Sequence, residues 1–200
     1  MVFKSQWYET PDLPGDHVKL AQLHPHHAAG VLAAADDDEV FQWLPVKRPT
    51  TLTEAQALVA SYLDDPKRFA WAQIDQHSNE LAGLTTFYDI DPEARSVAIG
   101  FTWLGKKHWR TALNTEAKLL LLSRAFDDLG AVRVVWHTDS LNERSQAAIE
   151  RLGAKREGTM RKHLRRVDGT WRDTVTFSML DDEWPAAKER LKSTLLASGT

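Results

Sequence analysis

Residues 97–122, VAIGFTWLGKKHWRTALNTEAKLLLL, connect a strand pattern to a helix pattern through a basic loop. The apolar-rich segment 94–105 predicts a strand. The segment AKLLLLSRAF (117–126) is apolar around most of its circumference, as expected of a helix that lies across a sheet. We therefore expect a helix over about 112–129, with Gly130 as its C-terminal cap.

The loop between these two elements, residues 106–114, contains Lys106, Lys107 and Arg110 but no acidic residue. The N-terminus of a helix exposes free N–H groups and about half a positive charge, so a basic loop at this point is typical of an anion site. The simpler alternative is a capped helix that follows a solvated loop. The candidate capping residues are Thr111, Asn114 and Thr115.

A second strand–helix unit follows. The β-branched segment VRVVWH (132–137) predicts a central strand, and the next helix is expected over 142–152. Asn142 and Ser145 lie three residues apart, on the helical face that continues into the core. Burying a polar group without a partner costs about 1–3 kcal/mol, so both side chains need one. A capping role explains one of them, with Asp139, Ser140 and Asn142 as the candidates.

The remaining segments complete an α/β (α+β) pattern. Further strands are predicted at 16–24, 68–75 and 80–91, and an Asp-Gly turn in VDGT (167–170) predicts a hairpin of two more. Helices are predicted within 26–45, 49–66 and 182–197. We expect a single domain over residues 1–200, built around a mixed sheet.

The composition is that of an ordinary globular protein, with 42% apolar and 26% charged residues. The net charge of −3 argues against a dedicated nucleic-acid binder. The absence of Cys excludes disulfides, thiolate metal sites and a cysteine nucleophile. No segment has the pattern of a signal peptide or a membrane span, so the sequence predicts a cytoplasmic protein.

The two strand–helix units resemble those of the GNAT superfamily of acetyl-coenzyme A-dependent N-acetyltransferases. The most similar branch is the Rim type, named for acetylation of ribosomal-protein N-termini. The resemblance covers about 16–180, and its motifs are IGFTWLGKKHWRTALNTEAK (99–118), NERSQAAIERLGAKREG (142–158) and the hairpin segment DGTWRDTVTFSML (168–180). It implies a sheet of about seven mostly antiparallel strands, flanked by helices, with splayed central strands.

The same resemblance implies a site for acetyl-CoA, the co-substrate, between the splayed strands. The strand ending near Trp103 and Leu104 would border the pantetheine arm, and Asn142 and Ser145 would face its sulfur end. The acceptor would be a primary amine, on a protein N-terminus or a small molecule. The pyrophosphate would lie on the amides of Arg110, Thr111, Ala112, Leu113, Asn114 and Thr115.

One departure from the family pattern concerns this phosphate loop. The family motif reads Gln/Arg-x-x-Gly-x-Gly/Ala, and the aligned residues here are Trp109, Ala112 and Asn114, so no glycine remains. Glycine serves where the backbone takes a positive φ or a ligand comes very close. Alanine costs little there if its φ is negative, and Asn tolerates left-handed geometry better than most residues, so we expect a reshaped phosphate site and not a lost one.

For the chemistry, the resemblance implies that Ser145 hydrogen-bonds the departing thiolate, because residues 142–158 contain no Tyr. A backbone amide near Trp103 and Leu104 would polarise the thioester. Candidate bases are His137, which we take as the catalytic choice, and His163. Asp89 and Asp173 are candidates for orienting the amine.

Several charged or His-rich segments allow other interpretations. The basic hairpin residues 161–172 could attract an acidic partner or the 3′-phosphate of the cofactor. The segment DDDE (36–39) could attract a cationic acceptor, although both patterns are also typical of solvated surface. HPHH (24–27) lacks a further ligand, so we expect no metal site. A homodimer could form through 182–197 or a sheet edge. The alternative function is a non-catalytic acyl-CoA sensor or RNA-associated binding module.

Overall fold

Seven strands form one continuous sheet in the computed structural model, which describes residues 4–198. The sheet order is β1-β2-β3-β4-β5-β7-β6, and all neighbours are antiparallel except β4 and β5. The predicted mixed, mostly antiparallel sheet is therefore confirmed. The strands are β1 Val18–Gln22, β2 Arg68–Asp75, β3 Leu81–Asp91, β4 Ser96–Leu104, β5 Arg133–Asp139, β6 Lys155–Arg165 and β7 Trp171–Leu180.

Six α-helices flank this sheet, and the two hydrophobic clusters show how they are divided between its faces. One face packs against the first three helices and the other against the fourth, fifth and sixth. The fourth continues into a short π-helical turn over Arg124–Asp128. The helices are α1 Ala28–Ala34, α2 Asp38–Phe41, α3 Leu52–Leu63, α4 Ala112–Ser123, α5 Glu143–Arg151 and α6 Trp184–Ser198.

The parallel pair β4–β5 is short. Its ladder joins only Ser96, Val97 and Ala98 of β4 to Arg133, Val134 and Val135 of β5, although both strands continue beyond these positions. The predicted splay of the central strands is therefore present, and it begins after Ala98. Both strands run in the same direction, so their carboxyl ends and the helices that follow them open at one edge of the sheet.

A β-bulge lies in β4 just beyond the last paired residue. Against β3, Leu84 pairs with Trp103 but Thr86 pairs with Gly100, so β4 contains one extra residue in this interval. Phe101 takes a left-handed conformation, with φ of 48°, which is uncommon for a bulky residue. Such a bulge bends its strand and increases the local twist. The bulge therefore turns β4 away from β5.

The side chain of Gln73 completes the backbone hydrogen bonding near the bulge. Its Nε2 donates to the carbonyl oxygens of Leu84 (3.0 Å) and Trp103 (3.1 Å) from a fully buried position on β2. The backbone approach is also very close here, because a Cβ on Gly83 would lie 2.0 Å from the Trp103 carbonyl oxygen. Only glycine fits at Gly83 without moving the backbone.

Helix α4 is fixed on the sheet by a buried carboxylate. The Glu116 side chain accepts hydrogen bonds from the backbone amides of Asp16 (2.9 Å), His17 (2.6 Å) and Val18 (2.7 Å) at the start of β1. Backbone donors buried without an acceptor are costly, so these three bonds specify where α4 crosses the sheet. The N-terminus of α4 is thereby held at the open end of β4.

We predict that Glu116→Ala lowers the free energy of unfolding by about 2–3 kcal/mol, because the buried amide of Val18 and the partly buried amides of Asp16 and His17 lose their acceptor. Denaturant unfolding followed by circular dichroism measures the change. The matched control is Glu150→Ala, at an exposed position of α5, which should leave the stability within about 0.5 kcal/mol. Equal stabilities for the two variants would contradict the anchoring role of Glu116.

Candidate active site

The parting of β4 and β5 forms a cleft whose walls are the inner edges of the two strands. Beyond Ala98 on β4 and Val135 on β5 no ladder joins them, so backbone N–H and C=O groups on these edges are available to a ligand. Trp103 and Leu104, which we expected to border the cofactor, lie at the end of β4 and are buried. The cleft lies between the N-termini of α4 and α5.

The start of α4 presents free backbone donors. Thr111 is the N-cap: its Oγ1 accepts from the Leu113 amide (3.4 Å) and donates to the His108 carbonyl oxygen (2.8 Å). The amides of Ala112 and Asn114, in the same turn, have no partner within the helix. These amides can bind an anion.

The missing glycines of the phosphate loop have a conformational explanation. Ala112 and Asn114 are in the helix and take negative φ, whereas the left-handed residue of this loop is Arg110, with φ of 61°. Glycine is therefore not required at positions 112 or 114 by the backbone dihedral angles. Alanine at position 112 is therefore accommodated without backbone strain, and the reshaped phosphate site stays a prediction.

The sequence suggested that three cations of the loop 106–114 could attract an anion, but two of them are paired within the protein. The Lys106 ammonium bonds to Asp37 (2.9 Å) and Glu39 (3.0 Å), and the Lys107 ammonium bonds to Glu80 (2.6 Å). Two of the loop's three positive charges are therefore neutralised by residues distant in sequence. The exposed Arg110 remains without an ion pair among residues 4–198.

The same contacts account for the DDDE segment. Besides the two acids that bind Lys106, Asp36 accepts from the amides of Lys106 (2.8 Å) and Lys107 (3.3 Å), and Asp38 pairs with Arg48 (3.2 Å). This acidic segment fastens the loop after β4 to the helical region of α1 and α2. Its charges are used within the fold.

A cation–π contact connects the two sides of the site. The Arg144 guanidinium, in the first turn of α5, lies 3.7 Å from the ring centroid of Trp109, and the Trp109 indole N–H donates to the Leu104 carbonyl oxygen (2.8 Å). Trp109 occupies the position where the family motif has Gln or Arg. The contact therefore links the end of β4 and the loop before α4 to the start of α5.

Asn142 and Ser145 differ in their hydrogen-bond partners within the protein. Asn142 is the N-cap of α5, and its Oδ1 accepts from the Ser145 amide (3.0 Å). The Asn142 side-chain oxygen is thus engaged by the helix itself. The Ser145 hydroxyl is half-buried and makes no hydrogen bond within the part of the chain that the structure describes. It is free to meet a ligand.

His137 has a partner that the sequence did not indicate. Its Nδ1 lies 2.9 Å from the Tyr88 hydroxyl, across from β5 to β3. Burial lowers the pKa of His137 and raises that of Tyr88, so the imidazole and the phenol are both neutral near pH 7. Tyr88 also packs edge-on against Phe101 at the bulge, with ring centroids 5.2 Å apart. The pair lies beside the splay.

Other candidates from the sequence lie farther from this pair or have other partners. His163 is hydrogen-bonded to Thr174 (3.1 Å), and Asp173 accepts from the Lys162 amide (2.7 Å) in the β6–β7 hairpin. Asp89 is exposed, and its charge opposes the lowering of the His137 pKa.

The hairpin contributes two arginines to this end of the sheet. Arg166 makes a two-pronged bond to the buried Asp139, at 2.6 Å and 2.9 Å. The Nε of Arg172 is buried without a hydrogen-bond partner among residues 4–198. The basic hairpin is therefore only partly a solvated surface, because Arg166 and Arg172 turn inward.

Lys118 is a further polar residue that the sequence reading passed over. It lies on α4 within an apolar run, and its Nζ donates to the Thr102 hydroxyl (2.9 Å) on the unpaired part of β4. Burial lowers the pKa of Lys118 to about 7. The signal available in the sequence was a single Lys one turn after Asn114 in the otherwise apolar segment 117–122.

The His-rich segment 24–27 forms a stack of imidazoles, with ring centroids of His26 and His27 4.2 Å apart. Among residues 4–198, no three His, Cys, Asp or Glu side chains converge in a way that could hold a metal ion. Within the same residues, every helix is too short or too polar to cross a membrane.

Comparisons with known proteins agree with this geometry. Residues 17–155 match the Acetyltransferase (GNAT) domain family. The crystal structure of a GCN5-related N-acetyltransferase from Brucella melitensis superposes with a TM-score of 0.90 at 32% identity, covering 94% of this chain and 86% of that one. "Uncharacterized N-acetyltransferase YoaA" of Bacillus subtilis is 25% identical over 175 residues, 85% of this chain and 97% of the relative.

A second Bacillus subtilis relative is named "Putative ribosomal N-acetyltransferase YdaF". It is 32% identical over 112 residues, which are 56% of this chain and 60% of the relative. The domain match spans more than half of the chain, and the splayed cleft lies within it. The chain belongs to the GNAT family and is an acetyltransferase.

Proposed function

We propose that this protein transfers the acetyl group of acetyl-CoA to a primary amine. The observation that carries the proposal is the gap between β4 and β5, flanked by the N-termini of α4 and α5. A narrow gap edged by unpaired peptide groups suits a long arm that carries amide groups of its own. Membership of an acetyltransferase family supports the reaction class.

The residues present fit the cofactor. The free amides of Ala112 and Asn114 at the start of α4, and Arg110, which has no ion pair among residues 4–198, suit a pyrophosphate. The edge of β4 at Trp103 and Leu104 suits the pantetheine arm, and the free hydroxyl of Ser145 suits its sulfur end. Acetyl-CoA, when bound, supplies an activated acetyl group as a thioester.

Three groups of the chain would serve the transfer. His137, neutral near pH 7, accepts a proton from the attacking amine directly or through water. A backbone amide near Trp103 or Leu104 stabilises negative charge on the carbonyl oxygen. Ser145 donates a hydrogen bond to the sulfur as the carbon–sulfur bond breaks. Asn142 orients this serine, because its side chain fixes the first turn of α5.

The acceptor class follows from the relatives and from the shape of the site. YdaF is named for ribosomal acetylation, which supports a protein N-terminus as the acceptor, in keeping with the Rim-type motifs. His137, which is bound to Tyr88, lies on a face of β5 and β7. Helices α1 and α3 pack on β3 and β2, so they do not cover this face. An open face admits a polypeptide end as well as a small amine.

We predict release of free thiol when the protein is incubated with acetyl-CoA and a panel of amines that includes N-terminal peptides and small amines. A colorimetric thiol assay measures the release, and mass spectrometry identifies the acetylated amine. Tight binding of acetyl-CoA without release for any amine would contradict the proposal and favour a non-catalytic sensor.

We predict that Ser145→Ala lowers kcat about tenfold or more while changing the Kd for acetyl-CoA less than twofold, because a hydrogen bond to a developing charge is lost. Steady-state kinetics and calorimetry measure the two quantities. The control is Ser193→Ala, at an exposed position of α6. An unchanged kcat at saturating substrates would remove Ser145 from the mechanism.

We predict a pH dependence set by His137. Because burial lowers the pKa of His137 from its ordinary value near 6.5, more than half of the imidazole is neutral at pH 6.5, and the midpoint of the rise of kcat/KM that it controls lies below that pH. His137→Gln should lower kcat about 100-fold and abolish this limb of the profile. His163→Gln should leave both kcat and this limb of the pH profile unchanged. A limb that survives in His137→Gln assigns the base elsewhere.

A further inference from the structure

Lys118 is a buried amine without a counter-ion. Lys118 is 7% exposed, and within the described residues 4–198 its amine bonds only to the Thr102 hydroxyl and pairs with no carboxylate. An ammonium group in a protein interior is costly unless it is paired. Packing alone would be served better by the leucines that follow it. The amine is therefore a candidate for a ligand contact.

The position of Lys118 on α4 directs it towards the cleft. Glu116, two residues earlier, faces β1, and two helical residues span about 200°, so Lys118 extends from the opposite side of the helix. Its Nζ reaches Thr102, which lies in β4 beyond the last residue paired with β5. Asn114, in the anion-binding first turn, is one turn before Lys118 on the same side.

The Lys118 amine can turn from Thr102 to a ligand without leaving the threonine hydroxyl unpaired. Thr102 Oγ1 is also 2.8 Å from Thr85 Oγ1 and 3.4 Å from the Gly100 carbonyl oxygen, so the hydroxyl pair retains partners when Lys118 turns away. Neither threonine titrates, and Glu116 is occupied by three amides. Among residues 4–198, burial is the cause of the lowered pKa of Lys118, with no charged neighbour contributing.

We propose that Lys118 is a cofactor-binding residue whose amine donates a hydrogen bond to a carbonyl oxygen of the acyl-pantetheine arm. The arm carries two amides and a thioester, and it would occupy the gap next to Thr102. This assignment rests on the proposed function. It adds to the first-turn amides of α4 a donor deeper in the cleft.

The contact couples binding to proton uptake. In the free protein the pKa of Lys118 is about 7, so the amine is largely neutral at pH 7.5. A carbonyl acceptor and the negative phosphates of the cofactor favour the ammonium form, which raises the pKa in the complex. Binding above pH 7 therefore takes up a proton, and the affinity falls as the pH rises from 7 to 9.

Isothermal titration calorimetry of coenzyme A, in buffers of different ionisation enthalpy at pH 7.5, counts the protons directly. We expect an uptake of up to about 0.7 proton per site in the unmodified chain and none in Lys118→Met. The affinity of that variant should be weaker by roughly tenfold. Lys192→Met, on the exposed face of α6, should behave like the unmodified chain.

The outcomes separate this role from a structural one. Coenzyme A binding without proton uptake, or equal uptake in Lys118→Met, would overturn the assignment and leave the proposed function standing. Absence of coenzyme A binding to the unmodified chain would overturn both. If Lys118→Met does not fold, NMR of the unmodified chain, with its lysines labelled at Cε with ¹³C, tests the role of Lys118. One lysine resonance should titrate near pH 7 in the free protein. This titration should disappear when coenzyme A is added.

Discussion

The constraint on which the structure depends is the short ladder between β4 and β5. Three paired residues hold the two strands together, and the extra residue in β4 at Phe101 turns them apart. A seven-stranded sheet of continuous pairing would offer a ligand only its faces and outer edges. Here the middle of the sheet exposes two inner edges, and the proposed acetyl-CoA site lies along them.

The two helices that follow these strands are positioned by buried or capping polar groups. Glu116 binds α4 to the amides that begin β1, and Asn142 begins α5 by accepting from the Ser145 amide. Ion pairs neutralise Lys106 and Lys107, two of the three cations in the loop after β4. At the cleft, the amides of Ala112 and Asn114 and the Ser145 hydroxyl have no partner among residues 4–198, and the Lys118 amine has only the Thr102 hydroxyl.

Periodicity and turn residues predicted the order of strands and helices, and the family resemblance was needed for the arrangement of the sheet. The strands, the helices and the hairpin at Asp168 and Gly169 follow from local patterns, and the family motifs predicted the splay. Local patterns could not predict the pairing of Lys106 with Asp37, because flexible charged side chains find partners from distant segments. For the same reason the Tyr88–His137 contact was invisible, and Lys118 resembled one more position of an apolar helix.

The measurement that tests the central claim most directly is a crystal structure of the protein with coenzyme A. The account predicts the pantetheine arm between β4 and β5, beyond Ala98, with the pyrophosphate on the amides of Ala112 to Thr115. A gap filled by the protein's own side chains, with coenzyme A bound elsewhere or absent, would contradict it.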